Sequence, residues 1–156
     1  MQKMIEYSNG NLHDINHFIK VHSFANTIAE LENVDKEIKC ILEIAAITHD
    51  IACPVCREKY GNTNGKYQEI EGESLVREFL KDTDLTKKQI DRVAYLIAHH
   101  HTYKDVDGID YQILLEADYI VNAGESNYSK ENIKNTKEKI FKTKSGIRLL
   151  ELIYGV

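Results

Sequence analysis

Apolar residues recur at helical spacing along almost the whole chain, and no segment shows the apolar–polar alternation of a half-buried strand. Between Asp14 and about Asn33 the stripe runs Ile15, Phe18, Ile19, His22, Ala25, Ile28 and Ala29. Asp35 has the character of an N-cap for a second helix, which carries Ile38, Ile41, Leu42 and Ala45 and runs to His49-Asp50. The stretch "CPVCREKYGNTNGKY" (53–67) breaks the period, and its Pro, Gly and Asn predict a loop in which Pro54 stops the preceding helix. A third helix is expected over about 68–82, and Thr86 caps a fourth running through "KKQIDRVAYLIAHHH". After the polar loop "TYKDVDGID", a fifth helix covers "YQILLEADYIVNAG", and one or two more fill 129–154, with Gly146 as the break. At 156 residues and without an internal repeat, the chain predicts one all-α domain, residues 1–156, of about six to seven helices.

The formal net charge of −5 offers no basic field for nucleic acid or an anionic membrane. No apolar run approaches the roughly 18–20 residues of a membrane span. The opening "MQKMIEYSNGNLHDINHF" lacks the apolar core of a signal peptide, so a cytoplasmic location is expected. Neither a nucleic-acid nor a membrane partner is therefore expected, and the oligomeric state, a homodimer included, is left open. Three cysteines do not make a disulfide framework.

Polar residues on apolar faces carry the functional signal. His49 falls four residues after Ala45, on the stripe that should face the core. Asp118 shares its face with Leu114, Ala117 and Val121. A carboxylate there must protonate, pair with a cation or bind a metal, because burying it bare is prohibitively costly. The stripe Ile90, Val93, Ala94 and Ile97 continues onto His100 and His101, and His17 lies on the flank of its helix with Val21 and Phe24. Each has a plain structural alternative: a satisfied core histidine, a salt-bridge carboxylate, or imidazoles at a helix C-terminus. Together, four helices send imidazole and carboxylate donors toward one interior. That donor set suits Mn, Fe, Co, Ni or Zn.

The order His17 … His49-Asp50 … Asp118 resembles the HD superfamily of metal-dependent phosphohydrolases, an HD/phosphodiesterase-like helical bundle. Four flanks carry the likeness over about residues 13–122: "HFIKVHSFANTIAE", "ILEIAAITHDIA", "VAYLIAHHH" and "ILLEADYIVN". The resemblance implies that His17, His49, Asp50 and Asp118 bind one divalent transition metal, and that Asp50 also orients the attacking water. His100 and His101 are similar to the pair that holds a second metal in dinuclear relatives; here they are candidates for catalysis, substrate contact or a weak second ion. Two positions depart from the dinuclear pattern: His13 stands where such relatives have Glu, and Gln68 where they have His. Ala52-Cys53 replaces the Gly-Lys that often follows His-Asp, so Lys20, Arg57, Lys59 or Lys66 is expected to supply the phosphate-binding cation.

Cys53-Pro54-Val55-Cys56 is neither a redox motif, which needs a βαβ setting, nor half of a zinc site, which needs two more soft ligands. Cys40 sits mid-helix as a small hydrophobe. The functional expectation is hydrolysis of a small phosphorylated substrate, a nucleotide or another phosphomonoester. The alternatives are a non-catalytic metal- or nucleotide-binding HD module and a di-iron HD oxygenase.

Overall fold

In a computed structural model describing residues 1–156, nine helices follow one another in chain order. They are α1 (Gln2–Tyr7), α2 (Leu12–Leu31), α3 (Lys36–Thr48), α4 (Cys53–Tyr60) and α5 (Gly65–Leu80), then α6 (Lys87–Ile97), α7 (Ile109–Glu125), α8 (Lys130–Ile140) and α9 (Lys144–Tyr154). There is no strand, and no helix is long and apolar enough to cross a membrane. The caps explain most boundaries. Asp35 accepts from Glu37 N at 2.8 Å, and Thr86 and Gln89 form a reciprocal capping box.

The helix count exceeds the expected six to seven for identifiable reasons. Residues 53–60 form α4, not a loop: Pro54 lies in the first turn, where its missing N–H has no intrahelical partner to lose. Pro54 therefore starts a helix instead of stopping one. Asn64 caps α5 three residues ahead of the expected start. Helix α6 ends at Ile97, so His99, His100 and His101 occupy the turn that follows. The break in 129–154 falls at Phe141–Thr143, and Gly146 lies inside α9, where a Cβ would collide with the Glu116 carboxylate.

Helix α2 packs on α3 and α7, α3 also packs on α6 and α7, and α5 lies against α6. Helix α7 is the axis of the bundle: every residue from Asp110 to Val121 is buried. A helix enclosed on all sides must carry partners for each polar group. Asp110 takes two hydrogen bonds from Arg92, at 2.8 and 2.7 Å. Glu116 accepts from Lys142 N (2.7 Å), Thr143 N (3.0 Å), Gln112 Nε2 (2.7 Å) and the Thr143 hydroxyl. That network closes the α8–α9 turn. Asp118 has no comparable partner set among cations or backbone donors, and the reason lies in what faces it.

Candidate metal centre

The packing of α2, α3 and α7 brings His17, the His49-Asp50 corner and Asp118 to one point. His17 and Asp118 are each 4 % exposed and His49 is fully buried. His17 Nε2 lies 3.1 Å from His49 Nε2, 3.2 Å from Asp118 Oδ1 and 3.5 Å from Asp50 Oδ2. His49 Nε2 is 3.4 Å from Asp118 Oδ1 and 3.7 Å from Asp50 Oδ1. Donors held about 2.0–2.2 Å from a common ion sit about 3–3.6 Å from one another, so this spacing is that of a coordination shell.

The protons on the imidazoles sharpen the point. His49 Nδ1 lies 2.9 Å from the carbonyl of Ala46, which can only accept, so Nδ1 carries the hydrogen and Nε2 presents a lone pair. His17 Nδ1 is 2.8 Å from Glu125 Oε2 and is held in the same way. Two lone pairs thus face each other at 3.1 Å, which only a proton or a cation between them can relieve. The donor chemistry fits a divalent metal.

The titration of the cluster says the same. Burial alone would lower the His17 pKa, but the Asp118 hydrogen bond, the Asp50 and Asp118 charges and the Glu125 contact raise it to about 9. Burial likewise opposes ionisation of Asp118 and Asp50. Hydrogen bonds and charge from His17 and His49 hold Asp118 well below the usual carboxylate range, and His49, His100 and His17 do the same for Asp50. Without a metal, His17 carries the positive charge these carboxylates require.

A second group adjoins the first. Ligand atoms of Asp50, His100 and His101 lie within 4.8 Å of one another, with His100 Nε2 3.6 Å from Asp50 Oδ1. His100 donates from Nδ1 to the Ile97 carbonyl at 2.7 Å, again turning Nε2 inward. His100 Nε2, His101 Nε2 and Gln68 Oε1 are buried and make no hydrogen bond. Burial first, then the neighbouring His100 charge, depresses His101 to about 4, so its ring is neutral at ordinary pH. The turn is held firmly. Glu69 accepts from His101 N (3.0 Å) and Thr102 Oγ1 (2.9 Å), and the Tyr111 hydroxyl lies between the carbonyls of His99 (2.7 Å) and Thr102 (2.6 Å), with one proton to share. His99 points away and donates to Tyr95 O at 2.7 Å.

Both groups open into a cleft of about 740 Å³. Asp50, His17, Asp118 and His101 lie in its wall, together with Arg57, Tyr103 and one face of α8: Asn132, Asn135, Thr136 and Lys139. The lysines expected to meet phosphate are not in that lining. Lys20 Nζ binds Glu125 Oε1 at 3.0 Å, Lys59 binds Glu71 at 2.6 Å, and Lys66 is exposed at the start of α5. Of the loop cations, Arg57 does line the cleft, but Asp14 claims it. His13 is exposed and stacks parallel to His17 at 6.4 Å. Cys53 is buried in the cleft wall with its thiol pushed up by burial, and Cys56 and Cys40 are free.

Three residues were missed from the sequence. Asn122 donates to Asp118 Oδ1 at 2.8 Å, and Glu125 orients His17. They follow Asp118 by four and seven residues, the spacing of one helical face, which was the available signal. Lys139 left none, because its place in the cleft depends on how α8 folds back. The family model for the HD domain matches residues 14–141. Neither a curated protein nor a solved structure matches the chain significantly.

Proposed function

The chain belongs to the HD domain family, and we propose that it is a metal-dependent phosphohydrolase acting on a small phosphorylated substrate. The observation that carries this reading is the convergence of His17, His49, Asp50 and Asp118, at coordination-shell spacing, on the wall of a cleft roomy enough for a nucleotide or sugar phosphate. A divalent ion held there would supply Lewis acidity, lowering the pKa of a water toward neutral and offsetting phosphoryl charge.

The protein's own groups do the rest. Asp50 keeps an edge toward the cleft and, ionised throughout the ordinary pH range, accepts a hydrogen bond that orients the attacking water, whose proton passes to solvent as its oxygen bonds to phosphorus. The ester P–O bond breaks and the leaving oxygen takes up a proton. His101, kept neutral by burial, is suited to be an acceptor or ligand and not the donor for that step. Tyr103 lines the same cleft as an un-ionised phenol and is placed to hydrogen-bond the leaving oxygen, whose proton comes from solvent.

A second reading of the centre, two ions in place of one, draws on the unpartnered His100 Nε2, His101 Nε2 and Gln68 Oε1 around Asp50. The deciding experiment adds Mn, Co, Ni or Mg to metal-stripped protein against a panel of nucleoside mono-, di- and triphosphates and sugar phosphates. Phosphate release that requires metal and disappears in Asp50→Ala is expected. Metal binding without any release would favour a sensor module. Activity with redox-inert Mg in the absence of dioxygen would dispose of a di-iron oxygenase.

A further inference from the structure

Beyond the metal end of the cleft, a side pocket of about 240 Å³ shares Tyr103, Lys139 and Ile140 with it and is completed by Lys142. Its remaining walls are neutral, Val106 and Leu115 among them, and no carboxylate lines it. We propose that Lys139 and Lys142 form an anion subsite, so that the substrate carries a second anionic group, phosphate or carboxylate, remote from the phosphate held at the metal end. The inference rests on the hydrolase reading for where the scissile phosphate sits.

Charge accounting leads to this class. At the metal end, a bound divalent ion would offset Asp50 and Asp118, and Arg57 is taken by Asp14. Lys137, on another face of α8, is paired with Glu151 at 3.0 Å, whereas Lys139 and Lys142 enter no ion pair. Glu116, bonded to Gln112 of the pocket wall, also spends its oxygens on Lys142 N, Thr143 N and the Thr143 hydroxyl. It holds the Lys142 backbone in place without reaching for the ammonium. In a chain of net charge −5, two exposed lysines without an ion-pair partner at the lining of one pocket are a local reversal of sign. The α8 stripe of Asn132, Asn135 and Thr136 leads from the metal end toward this pocket with amide and hydroxyl groups, suited to the uncharged body of such a substrate.

The test uses the full chain loaded with Mn and matched pairs of probes. Adenosine 5′-monophosphate is set against adenosine 3′,5′-bisphosphate for a second phosphate, and glycerol 3-phosphate against 3-phosphoglycerate for a carboxylate. In at least one pair, kcat/KM for the doubly anionic member should be higher by about tenfold, carried by KM, and the advantage should shrink as salt is added. Lys142→Glu should bring the ratio to about one and Lys142→Arg should keep it; each ratio is internal to one protein, so a partly folded variant does not mimic the effect. A ratio near one in the wild type, or one untouched by Lys142→Glu, overturns the subsite. If no probe is turned over, the hydrolase reading fails on its own. Calorimetric binding of the bisphosphate to metal-loaded protein then decides the subsite: about tenfold weaker binding by Lys142→Glu supports it, and equal binding refutes it.

Discussion

Glu125 Oε2 sits 2.8 Å from Nδ1 of His17 and thereby aims the opposite ring nitrogen at Asp118 and His49. The carboxylate is itself held by Lys20, whose ammonium lies 3.0 Å from Oε1. Lys20 thus stands two steps behind the candidate metal centre, steadying the group that steadies His17.

Glu125→Gln keeps the shape but removes the charge that fixes the His17 tautomer. Outer-sphere partners of this kind typically contribute about 10–100-fold in metal affinity, and a loss in that range is expected here. Competition with a chromophoric chelator measures it directly. An affinity equal to wild type would mean that Glu125 merely covers the ring.

Metal-free protein should lose stability as the pH is raised. His17 in the folded state titrates near 9, above the ordinary histidine value of 6.5. The folded state therefore binds the proton more tightly than the unfolded one. The resulting stabilisation is fully present below about 6.5 and disappears as pH rises through about 9, amounting to on the order of 3 kcal/mol. Metal displaces that proton, so its affinity should climb over the same window and level off beyond it. Denaturant titrations of chelator-treated and metal-loaded protein at several pH values give both trends. A metal-free protein equally stable at both ends of the window would refute the assignment.

Two buried carboxylates on α7, two residues apart, should respond differently to removal. Glu116→Ala leaves the backbone N–H groups of Lys142 and Thr143 without acceptors and should cost about 3 kcal/mol of stability, with metal affinity nearly intact. Asp118→Ala removes a candidate ligand, so metal binding should collapse, and the apo protein should also lose the stability that the buried His17–Asp118 pair supplies; metal affinity is what separates the two variants. Thermal melts with and without metal separate the cases. If both variants lose stability alike and both still bind metal, Asp118 is a structural acid.

The contrast between these two acids also shows what the sequence could reveal. Asp118 was conspicuous because its neighbours three and four residues away are apolar, and the same logic found His49 and the all-helical fold. Glu116 stood on the same enclosed helix and escaped notice, since a stripe argument assumes one wet face and α7 has none. Lys20 and Lys59 were misplaced because their carboxylate partners, Glu125 and Glu71, come from other helices, at separations no periodicity encodes. Helix α4 was hidden by Pro54, which stops a helix from within but starts one from its first turn.

Gly65 makes the last case, because its effect runs through packing alone. A Cβ at this position would sit 2.6 Å from Cγ and 2.7 Å from Cδ2 of the His101 ring, whose backbone Glu69 already pins. Gly65→Ala must therefore push the ring, and an alanine is otherwise welcome in the first turn of α5. Displacing a reacting group by about 1 Å can cost as much as 100-fold, so kcat should fall by about tenfold or more. The His17–His49–Asp118 end is untouched, and tight binding of the first metal should persist. A second, weaker binding phase in a Mn titration of the wild type should weaken further in the variant. Wild-type kcat with an unchanged titration would show that the position of His101 matters to neither turnover nor a second ion.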